Sequence, residues 1–536
     1  MIALPQHTSV LIVGAGPSGL MMAAQLLRNG VQPIIIDSKQ GPTNQSKALA
    51  VQARSLEIYR QMGIIDKVLE GGKQARGLNY NLHGKPVAAF ALANMAEKQT
   101  SFPFIHLFQQ SKNERVLLDY LTQACCPVYW NTSLVTLTQN SNSARVTLQN
   151  GETTHTLTCD YVVGADGAHS AVRKQLGIPF TGDTYQHKFY LADVKIESAL
   201  SSDMVNLYLS QKGFAGFFPM PEEDSYRIVA SLPDGVEGNA DLKLEDVLPD
   251  LDAITSSAIT KVVAVNWFTI YKLHHRMADR FNDQRCFLIG DAAHIHSPVG
   301  GQGMNTGLQD AYNLAWKMAA VINGQIAPSI LTSYSAERMP IAKDLLNTTD
   351  RVFNIVTSRS WFSGLIKRYI MPAGLKFFWN KPNLRAYFFK RISQIGIDYR
   401  DSKINLQLGH LTQIKAGDRL PYLEIFDEKK QLKTDLHAWC SKPGFTLITF
   451  GEIKENFLFT LAKWITQNYG SSLNFFHLPP SDSNQHVFDV LEVRPLTRKV
   501  IIVRPDMYIG YINDLVDIEL MDNYLKNIVG FTDSKQ

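Results

Sequence analysis

The chain has 536 residues, with 53 Lys and Arg against 49 Asp and Glu. A chain of this length exceeds a single hydrophobic core, so about two to four domains are expected. The near balance of charge gives no support for a nucleic-acid partner. No stretch of the sequence is both long and uncharged enough for stable insertion into a membrane.

The cysteines and the N-terminal residues bear on the cellular compartment. The number of cysteines, 5, is odd, and they show neither metal-ligand nor C-x-x-C spacing, so no metal site is expected. The first predicted strand begins near Ser9, which leaves no room before it for a cleaved signal peptide. We therefore predict a reducing, cytoplasmic location.

The N-terminal segment has the pattern of a strand, a helix and a second strand. Residues 10–13 and 34–36 are short apolar runs, and residues 20–28 have helical apolar spacing. A G-x-G-x-x-G loop joins the first strand to the helix, and it contains Gly14, Gly16, Pro17, Ser18 and Gly19. Asp37 ends the second strand, where a carboxylate can accept hydrogen bonds from a ribose. This unit predicts a dinucleotide site but does not choose between FAD and NAD.

A second group of strands predicts a mostly antiparallel sheet. Residues 78–80 and 87–90 are predicted to form a hairpin around His83 and Gly84. The other predicted strands are 189–194, 205–209, 214–219, 226–231 and 266–271. Their aromatic residues Phe214, Phe217 and Phe218 either line a cavity or fill the sheet core, and core filling is the favoured interpretation.

Residues 285–317, the GD segment, carry the most information about function. The apolar run 286–289 predicts a buried strand, and Asp291 follows at its carboxyl end, where open α/β sheets bind ligands. The turn that comes next contains Pro298, Gly300, Gly301 and Gly303. Such a turn lets the backbone approach a flat ligand. Met304 and Asn305 lead into a helix predicted to start near Leu308, whose N-terminus would stabilise the anion formed when a flavin is reduced.

The GD segment, including the run 302–305 and the pair Gln309-Asp310, resembles the GD motif of single-component FAD-dependent aromatic hydroxylases. These are the relatives of p-hydroxybenzoate hydroxylase, among them phenol, 3-(3-hydroxyphenyl)propionate, pentachlorophenol and polyketide hydroxylases. The resemblance implies bound FAD, with the antiparallel sheet forming the substrate cavity over the flavin ring. It also implies NADPH or NADH as a transient reductant, because only one dinucleotide-binding unit is evident.

Residues 160–178, the DG segment, resemble the DG motif of the same hydroxylases. The resemblance implies that Asp166 supports FAD binding and that His169 and Arg173 help to bind the phosphates of NAD(P)H. The alternative for Arg173 is a solvated helix residue paired with a neighbouring acid.

Residues around 107–121 resemble the family segment whose glutamine contacts FAD. Gln110 is the aligned residue, and Gln109 is a competing choice. Glu114 and Arg115, which follow, are interpreted as surface residues of a helix.

Residues 46–64 resemble the family segment that usually contains Ser-Arg, and Lys47 stands at the arginine position. Lysine keeps the charge but loses bidentate phosphate binding, which leaves the choice between NADPH and NADH open. Arg54 is a further cofactor-binding candidate; its alternative is a structural ion pair with Glu57.

The C-terminal part resembles the thioredoxin-like domain of phenol and polyketide hydroxylases. Cys440 lies in a Trp-Cys-Ser-Lys-Pro sequence without a second cysteine, which excludes dithiol exchange. Met507 stands where the relatives often have glycine. Before this domain, the apolar residues 353–380 are interrupted by Lys and Arg, and they predict a packed or homodimer-forming helical segment rather than a membrane-surface helix.

The expected fold is α/β, with a Rossmann-like FAD-binding domain, an antiparallel-sheet substrate domain, a helical segment and a thioredoxin-like C-terminal domain. The predicted boundaries are 1–178 for the first part of the FAD-binding domain (with 72–100 contributing to the substrate sheet), 179–275 for the substrate domain, 276–345 for the second part of the FAD-binding domain, 346–400 for the helical segment and 401–536 for the C-terminal domain.

The expected activity is hydroxylation of a small phenolic or polycyclic aromatic substrate, with NAD(P)H and O2, through a flavin 4a-hydroperoxide. His275 is a candidate base for a phenol, and a hydrogen-bonded structural histidine is the commoner alternative. Two other functions remain open from the sequence. One is an FAD oxidoreductase of the same fold that inserts no oxygen, and the other is a non-catalytic flavoprotein whose C-terminal domain binds a partner.

Overall fold

The computed structural model describes residues 4–43, 48–92, 98–233, 242–256, 258–296, 301–357, 374, 381–410, 413–428 and 430–532. Within these ranges only the backbone is described at 185–187, 260, 272–273, 350–357 and 382. Lys47, Pro298 and Gly300 lie outside the described residues, as does most of the predicted helical segment 353–380.

The first large sheet has parallel strands at its centre. With strands numbered along the chain, it contains β1 (His7–Val13), β2 (Ile34–Ile36), β8 (Val128–Tyr129), β9 (Thr132–Gln139), β10 (Ala144–Asn150), β11 (Thr153–Gly164), β17 (Asn282–Asp283) and β18 (Cys286–Leu288). The spatial order is β17-β18-β11-β1-β2-β8, and β10 and β9 continue antiparallel from β11. β1 is parallel to both β2 and β11, and β18 is parallel to β11. The carboxyl ends of these parallel strands therefore meet at one edge, where α/β proteins bind ligands.

The second large sheet is mostly antiparallel. It contains β5 (Gly77–Leu82), β6 (Lys85–Ala91), β12 (Phe180–Ser198), β13 (Met204–Leu209), β14 (Phe214–Pro219), β15 (Ser225–Ser231), β16 (Ile259–Ala278) and β19 (His294–Ile295). The spatial order is β19-β16-β12-β15-β14-β13-β5-β6, and only the β13–β5 pair among these described strands is parallel. The two-residue strand β19 follows the GD strand in the chain, so it joins this sheet directly to the GD segment.

The C-terminal part has a mixed sheet of its own. It contains β20 (Leu406–Gln407), β23 (Phe445–Gly451), β24 (Leu473–Leu478), β25 (Arg498–Val503) and β26 (Ile509–Asn513), in the spatial order β20-β26-β25-β23-β24. Two small sheets complete the described strands. One contains β3 (Ala50–Val51), β4 (Lys73–Ala75) and β7 (Ile105–Leu107), and the other contains β21 (Glu424–Asp427) and β22 (Leu432–Asp435).

The helices cover the faces of these sheets. The described α-helices are α1 (Pro17–Arg28), α2 (Ala53–Gln61), α3 (Ile65–Glu70), α4 (Gln110–Gln123), α5 (Ala171–Gln175), α6 (Leu244–Thr255), α7 (Gly303–Ile322), α8 (Thr332–Thr357), α9 (Pro382–Ile392), α10 (Leu436–Trp439), α11 (Glu455–Asn468), α12 (Gln485–Val490) and α13 (Ile518–Asn523). No helix in the described part of the chain is long and apolar enough to cross a membrane.

The strands predicted at 189–194 and 266–271 extend to Phe180–Ser198 and Ile259–Ala278. Two further boundaries also change. Helix α7 begins at Gly303, not near Leu308. Glycine is a poor helix former, so the two glycines in its first turns hid the start of the helix. The contribution of 72–100 to the antiparallel sheet begins only at Gly77, because β4 pairs with β7 in a separate sheet.

Buried ion pairs join the C-terminal part to the FAD-binding part. Arg504 Nη1 lies 2.7 Å from Glu337 Oε1, and neither side chain has exposed surface. Arg419 Nη1 lies 3.0 Å from Oε1 of Glu57, which is equally buried. Burial opposes ionisation of the Glu57 carboxyl, but the neighbouring groups, of which Arg419 has the largest effect, together outweigh burial and lower the pKa of Glu57. A charge buried this deeply is stable only when it is paired. Separation of the two parts would break these pairs, so the pairs hold the C-terminal part against the FAD-binding part.

Candidate active site

The glycine loop between β1 and α1 has the geometry of a phosphate cradle. Gly14 has φ +107°, and a Cβ there would lie 2.4 Å from the carbonyl oxygen of Ala165. A Cβ at Gly19 would lie 1.9 Å from the carbonyl oxygen of Gly14, so this glycine allows close packing of helix on strand. A Cβ at Gly16 would meet nothing within 4 Å. Among the described residues no side chain caps α1, so the N–H groups after Gly16 remain available to a pyrophosphate.

Asp37 is held rigidly at the end of β2. Its Oδ2 accepts a hydrogen bond of 2.7 Å from the Ala15 amide, and its Oδ1 accepts one of 2.8 Å from the Lys39 amide. A carboxylate oxygen can accept more than one hydrogen bond, so both oxygens keep capacity for ribose hydroxyls. The two backbone contacts fix the orientation of the carboxylate beside the glycine loop.

Gln110, at the start of α4, lies near the same end of the site. Its Oε1 accepts from the Ala48 amide at 3.3 Å, and its Nε2 donates to Glu114 Oε1 at 3.0 Å. The interpretation of Glu114 as a surface residue is wrong, since its relative exposure is 1%. Burial raises the pKa of this carboxyl, and the nearby Asp37 charge adds to the effect. Gln110 and Glu114 therefore accept hydrogen bonds from the backbone amides of Ala48 and Thr43, and they do not stand on an open helix face.

Asp166 in the DG segment caps a short helix. Its Oδ2 accepts from the amides of Ala171 at 2.6 Å and Val172 at 3.2 Å, and its Oδ1 accepts from Ser170 Oγ at 2.5 Å. Burial raises the pKa of Asp166 above its usual range. These contacts hold the start of α5 beside the glycine loop, because Ala165 is the residue against which Gly14 packs.

Arg173 is neither a solvated residue nor an open phosphate ligand in this structure. It is 4% exposed. Its Nη1 donates to the Ala292 carbonyl at 2.8 Å and its Nη2 to the Ala168 carbonyl at 2.8 Å. The guanidinium also lies 3.8 Å from the centre of the Phe180 ring. Arg173 therefore joins the DG segment to the GD segment, whereas His169 is exposed.

The GD segment and the glycine loop meet at Ser18. A Cβ at Gly290 would lie 2.4 Å from Ser18 Oγ, and one at Gly307 would lie 2.3 Å from the same atom. A larger residue at either position would therefore force Ser18 to move, and Gly290 also has φ +56°. Asp291, the next residue after Gly290, is exposed at the carboxyl end of β18. The contact brings the start of α7 next to the start of α1, and no side chain of the described residues caps α7 either.

Asn305 positions the turn of the GD segment. It has no exposed surface. Its Oδ1 accepts from the Gln52 amide at 2.9 Å and from Ser55 Oγ at 2.8 Å. Its Nδ2 donates to the carbonyls of Ala50 at 2.9 Å and Gly301 at 2.8 Å. All four hydrogen-bonding sites of the amide are occupied, so its side chain acts on a cofactor through Gly301 and not by direct contact.

The residues just before Asn305 are less buried than Asn305 itself. Met304 is half-buried. A Cβ at Gly303 would lie 3.2 Å from His296 Nε2, and a Cβ at Gly301 would lie 2.8 Å from the Ala50 side chain. The backbone at Gly301 and Gly303 is thus packed on one side against β3 and His296.

A buried cluster under the GD segment was not singled out in the sequence. Asp310 Oδ2 accepts from the Gly290 amide at 3.1 Å and lies 2.7 Å from His294 Nε2. Its Oδ1 accepts from Arg338 Nε at 2.7 Å. Burial opposes ionisation, but Arg338 and His294 outweigh it and hold the pKa of Asp310 at about 2. The only sequence signal was Gln309-Asp310 in the motif; His294 and Arg338 carry no local pattern.

Arg54 forms the ion pair with Glu57 that the sequence analysis gave as the alternative to cofactor binding. Its Nη1 lies 3.1 Å from Glu57 Oε2, and its Nη2 donates to the Asp506 carbonyl at 2.7 Å. The rings of Tyr312 and Tyr508 lie 5.6 and 5.2 Å from the guanidinium. The residue has no exposed surface, so it offers no face to a cofactor in this conformation.

The antiparallel sheet presents both polar and aromatic side chains. His275 is half-buried on β16, next to Arg276, which pairs with Ile295 of β19. This places His275 at the end of the sheet that adjoins the GD segment. Of the three phenylalanines, Phe217 is fully buried in the core against α6. Phe214 and Phe218 are half-buried on the opposite face, so core filling describes only Phe217 fully.

The match to a family model agrees with this geometry. The chain belongs to the FAD binding domain family, whose model matches residues 7–349. This range contains the glycine loop, the DG segment, the GD segment and the antiparallel sheet. The prediction of an FAD-binding domain is confirmed.

Similar proteins are monooxygenases. The chain is 33% identical over 407 residues to 6-methylpretetramide 4-monooxygenase of Streptomyces rimosus, covering 75% of this chain and 71% of the relative. It is 32% identical over 422 residues to pentachlorophenol 4-monooxygenase of Sphingobium chlorophenolicum, covering 78% and 76%. The solved structure of an anhydrotetracycline hydroxylase from Streptomyces rimosus superposes with a TM-score of 0.78 at 26% identity, covering 98% of this chain and 99% of that one. The resemblance to aromatic and polyketide hydroxylases is thereby confirmed.

Proposed function

We propose that the protein is an FAD-dependent monooxygenase that hydroxylates a phenolic or polycyclic aromatic ring, with O2 as co-substrate and NAD(P)H as reductant. The observation that carries this proposal is the meeting of the glycine loop and the GD segment at Ser18, beside the antiparallel sheet that β19 joins to the same segment. The monooxygenase names of the relatives support it over a flavoprotein that inserts no oxygen or has no activity.

FAD, when bound and reduced, supplies the chemistry that activates O2. The chain supplies binding and orientation. The amides at the start of α1 would hold the pyrophosphate, and Asp37 would accept from the ribose. Asp291 would accept from the ribityl chain. The start of α7, with its partial positive charge, would stabilise the anion of a reduced flavin.

The reductant would bind transiently at the surface of the same domain. His169 supports this proposal because it is an exposed residue within the DG segment. Arg173 is proposed as a positioning residue instead, since both of its Nη atoms donate to backbone carbonyls. Lys47 remains a candidate for discrimination between NADPH and NADH, and it lies outside the described residues.

The remaining proposals concern the whole chain. The mixed five-stranded sheet of the C-terminal part supports a thioredoxin-like domain at 401–536. The five cysteines are free thiols, which supports a reducing cytoplasm. A homodimer through the helical segment at 346–400 stays a prediction, because much of this segment lies outside the described residues.

The test is oxygen incorporation. The FAD-loaded protein is incubated with NADPH or NADH and a panel of phenols and hydroxyquinones under ¹⁸O2, and the products are analysed by mass spectrometry. One labelled oxygen atom per product molecule is expected. Substrate oxidised without label would favour the oxidoreductase. Failure of every aromatic compound to stimulate NAD(P)H oxidation would favour the non-catalytic flavoprotein.

A further inference from the structure

The antiparallel sheet has two faces of different character. Side chains alternate between the faces along each strand. Tyr190 and Ala192 of β12 pack in the core against α6. Phe189 and Asp193 therefore lie on the opposite face, together with their cross-strand neighbours. Phe218 lies on this second face and packs against the core of the FAD-binding domain. We call this second face the inner face, because it is turned toward the flavin-binding domain.

A buried ion pair lies on the inner face. Arg227 of β15 donates from Nε to Asp193 Oδ1 at 2.6 Å and from Nη2 to Asp193 Oδ2 at 2.7 Å. Arg227 is 1% exposed, and its guanidinium lies 5.5 Å from the centre of the Trp267 ring. The positive charge of Arg227 and the negative charge of Asp193 cancel within this bidentate pair. The third guanidinium nitrogen, Nη1, takes no part in it.

Two polar atoms on the inner face have no hydrogen-bond partner among the described residues. One is Arg227 Nη1, the guanidinium nitrogen that Asp193 does not engage, and the other is the hydroxyl of Tyr271 on β16. Tyr271 shares the inner face because it pairs with Phe189, and the two rings are 6.3 Å apart. Burial raises the pKa of Tyr271, and the charge of Arg227 offsets this only in part, so the hydroxyl is a donor at neutral pH.

We propose that Arg227 Nη1 and the Tyr271 hydroxyl form a subsite that binds neutral oxygen acceptors, carbonyl or phenol, on the aromatic substrate. This inference rests on the proposed function and narrows its substrate class. A buried donor left without a partner is costly, and a ligand oxygen removes that cost. A site with such donors discriminates strongly against ligands that lack the matching oxygen.

The pairing with Asp193 decides which oxygen is preferred. An arginine without a partner would attract a carboxylate. Arg227 is already neutralised, so a carboxylate buried beside it would bring an uncompensated charge into a dry site. Hydroxyquinones and phenolic ketones fit the subsite, whereas aromatic acids do not.

The test measures ligand binding and not turnover. The FAD-loaded protein is titrated with 1-hydroxy-9,10-anthraquinone and with 9,10-anthraquinone-2-carboxylate, and binding is followed by calorimetry. The wild type is expected to prefer the neutral quinone. Tyr271→Phe should weaken quinone binding by roughly 2- to 10-fold, the effect of one neutral hydrogen bond. The matched control is Tyr190→Phe, which removes a buried hydroxyl from the other face of β12 and should leave binding unchanged.

Asp193→Asn tests the neutralisation argument. It leaves the Arg227 charge uncompensated, so the affinity ratio should shift toward the carboxylate by about tenfold or more. A wild type that prefers the carboxylate, or that binds neither compound, would overturn the subsite. Equal effects of Tyr271→Phe and Tyr190→Phe would overturn it as well. Because no turnover is needed, a failure of the proposed function appears separately, as NAD(P)H oxidation that no aromatic compound stimulates.

Discussion

Arg173 and Ala292 are joined by a hydrogen bond of 2.8 Å from the guanidinium Nη1 to the backbone carbonyl. Ala292 follows Asp291, the exposed carboxylate at the carboxyl end of β18. One side chain from α5 therefore controls the position of a residue in the other flavin-binding segment. From the sequence, Arg173 is interpreted as a ligand for phosphate. Its hydrogen bonds show instead that it joins the DG segment to the GD segment.

The first prediction follows from that connection. Arg173→Ala should lower the affinity for FAD, because Ala292, next to Asp291 in the GD segment, loses its hydrogen bond from Arg173 of the DG segment. The loss of charge-assisted hydrogen bonds corresponds to about 1.5–3 kcal/mol. FAD dissociation constants of the apoprotein, measured by flavin fluorescence, check this. The control is His169→Ala, which should leave FAD affinity unchanged and slow flavin reduction at limiting NAD(P)H. If Arg173→Ala kept its FAD affinity and lost only the reduction rate, the direct phosphate contact would be correct.

A second prediction concerns Asp291. Asp291→Ala should weaken FAD binding by about 1.5–3 kcal/mol, since a carboxylate that accepts from the ribityl chain is lost. Equilibrium dialysis of the apoprotein with FAD provides the measurement. Asp279→Ala removes an exposed carboxylate nearby in the chain and should bind FAD as the wild type does. Equal affinity in the two variants would remove Asp291 from the site.

The third prediction concerns pH and stability. The pKa of Asp310 is about 2 in the folded protein, below the value of about 3.9 expected on unfolding. The stabilisation is therefore complete above about pH 4 and is lost as the pH falls toward about 2. Asp310→Asn should lower the free energy of unfolding at neutral pH by about 3–5 kcal/mol, because Arg338 remains buried without its charged partner. It should also remove this part of the acid dependence.

The control for Asp310 is an exposed ion pair. Asp344 Oδ2 lies 2.7 Å from Arg391 Nη1, and both side chains are largely solvated. Asp344→Asn should change the free energy of unfolding by at most about 1 kcal/mol. Denaturant titrations of both variants at several pH values make the comparison. A similar small loss in both would show that the Asp310 cluster does not hold the GD segment.

The fourth prediction concerns the thiols. Burial raises the pKa of Cys440 to about 12, so its thiol is protonated and unreactive at neutral pH. Cys440→Ser should keep hydroxylation activity at the wild-type level. In the folded protein, Ellman's reagent should label Cys125 rapidly, since it is the exposed thiol among the five. Rapid labelling of Cys440, or loss of activity in Cys440→Ser at normal FAD content, would give this cysteine a chemical role.

Local patterns predicted the parts of the fold that depend on nearby residues. The strand, helix and strand around the glycine loop follow from apolar runs and glycine spacing, and the observed β2 (Ile34–Ile36) coincides with the predicted run. Strand β14 (Phe214–Pro219) also coincides with its prediction. In each case alternation or a short apolar run is complete within the segment itself.

Contacts between distant segments could not be predicted in this way. Arg54 is covered by Asp506 and Tyr508, which lie more than four hundred residues later in the chain. Glu114 is a charged residue on a helix, and only the fold shows that it is buried and accepts a hydrogen bond from the distant Thr43 amide. Charged residues are rarely buried without partners, and a partner far along the chain leaves no trace in the local sequence.

The left-handed backbone of Met507 has a consequence for the evolution of the C-terminal core. Met507 has φ +61° and is 1% exposed, at the position where the resemblance leads one to expect glycine. A replacement by glycine would relieve backbone strain of about 1–2 kcal/mol and leave a hole where the thioether packs. The two effects oppose each other. The strained methionine can therefore be retained once the surrounding side chains pack against its thioether. Met507 belongs to a buried cluster of described residues between 416 and 512, all of them in the C-terminal part. A variant that takes the glycine of a relative at this position would therefore need the surrounding core residues of the C-terminal part exchanged with it.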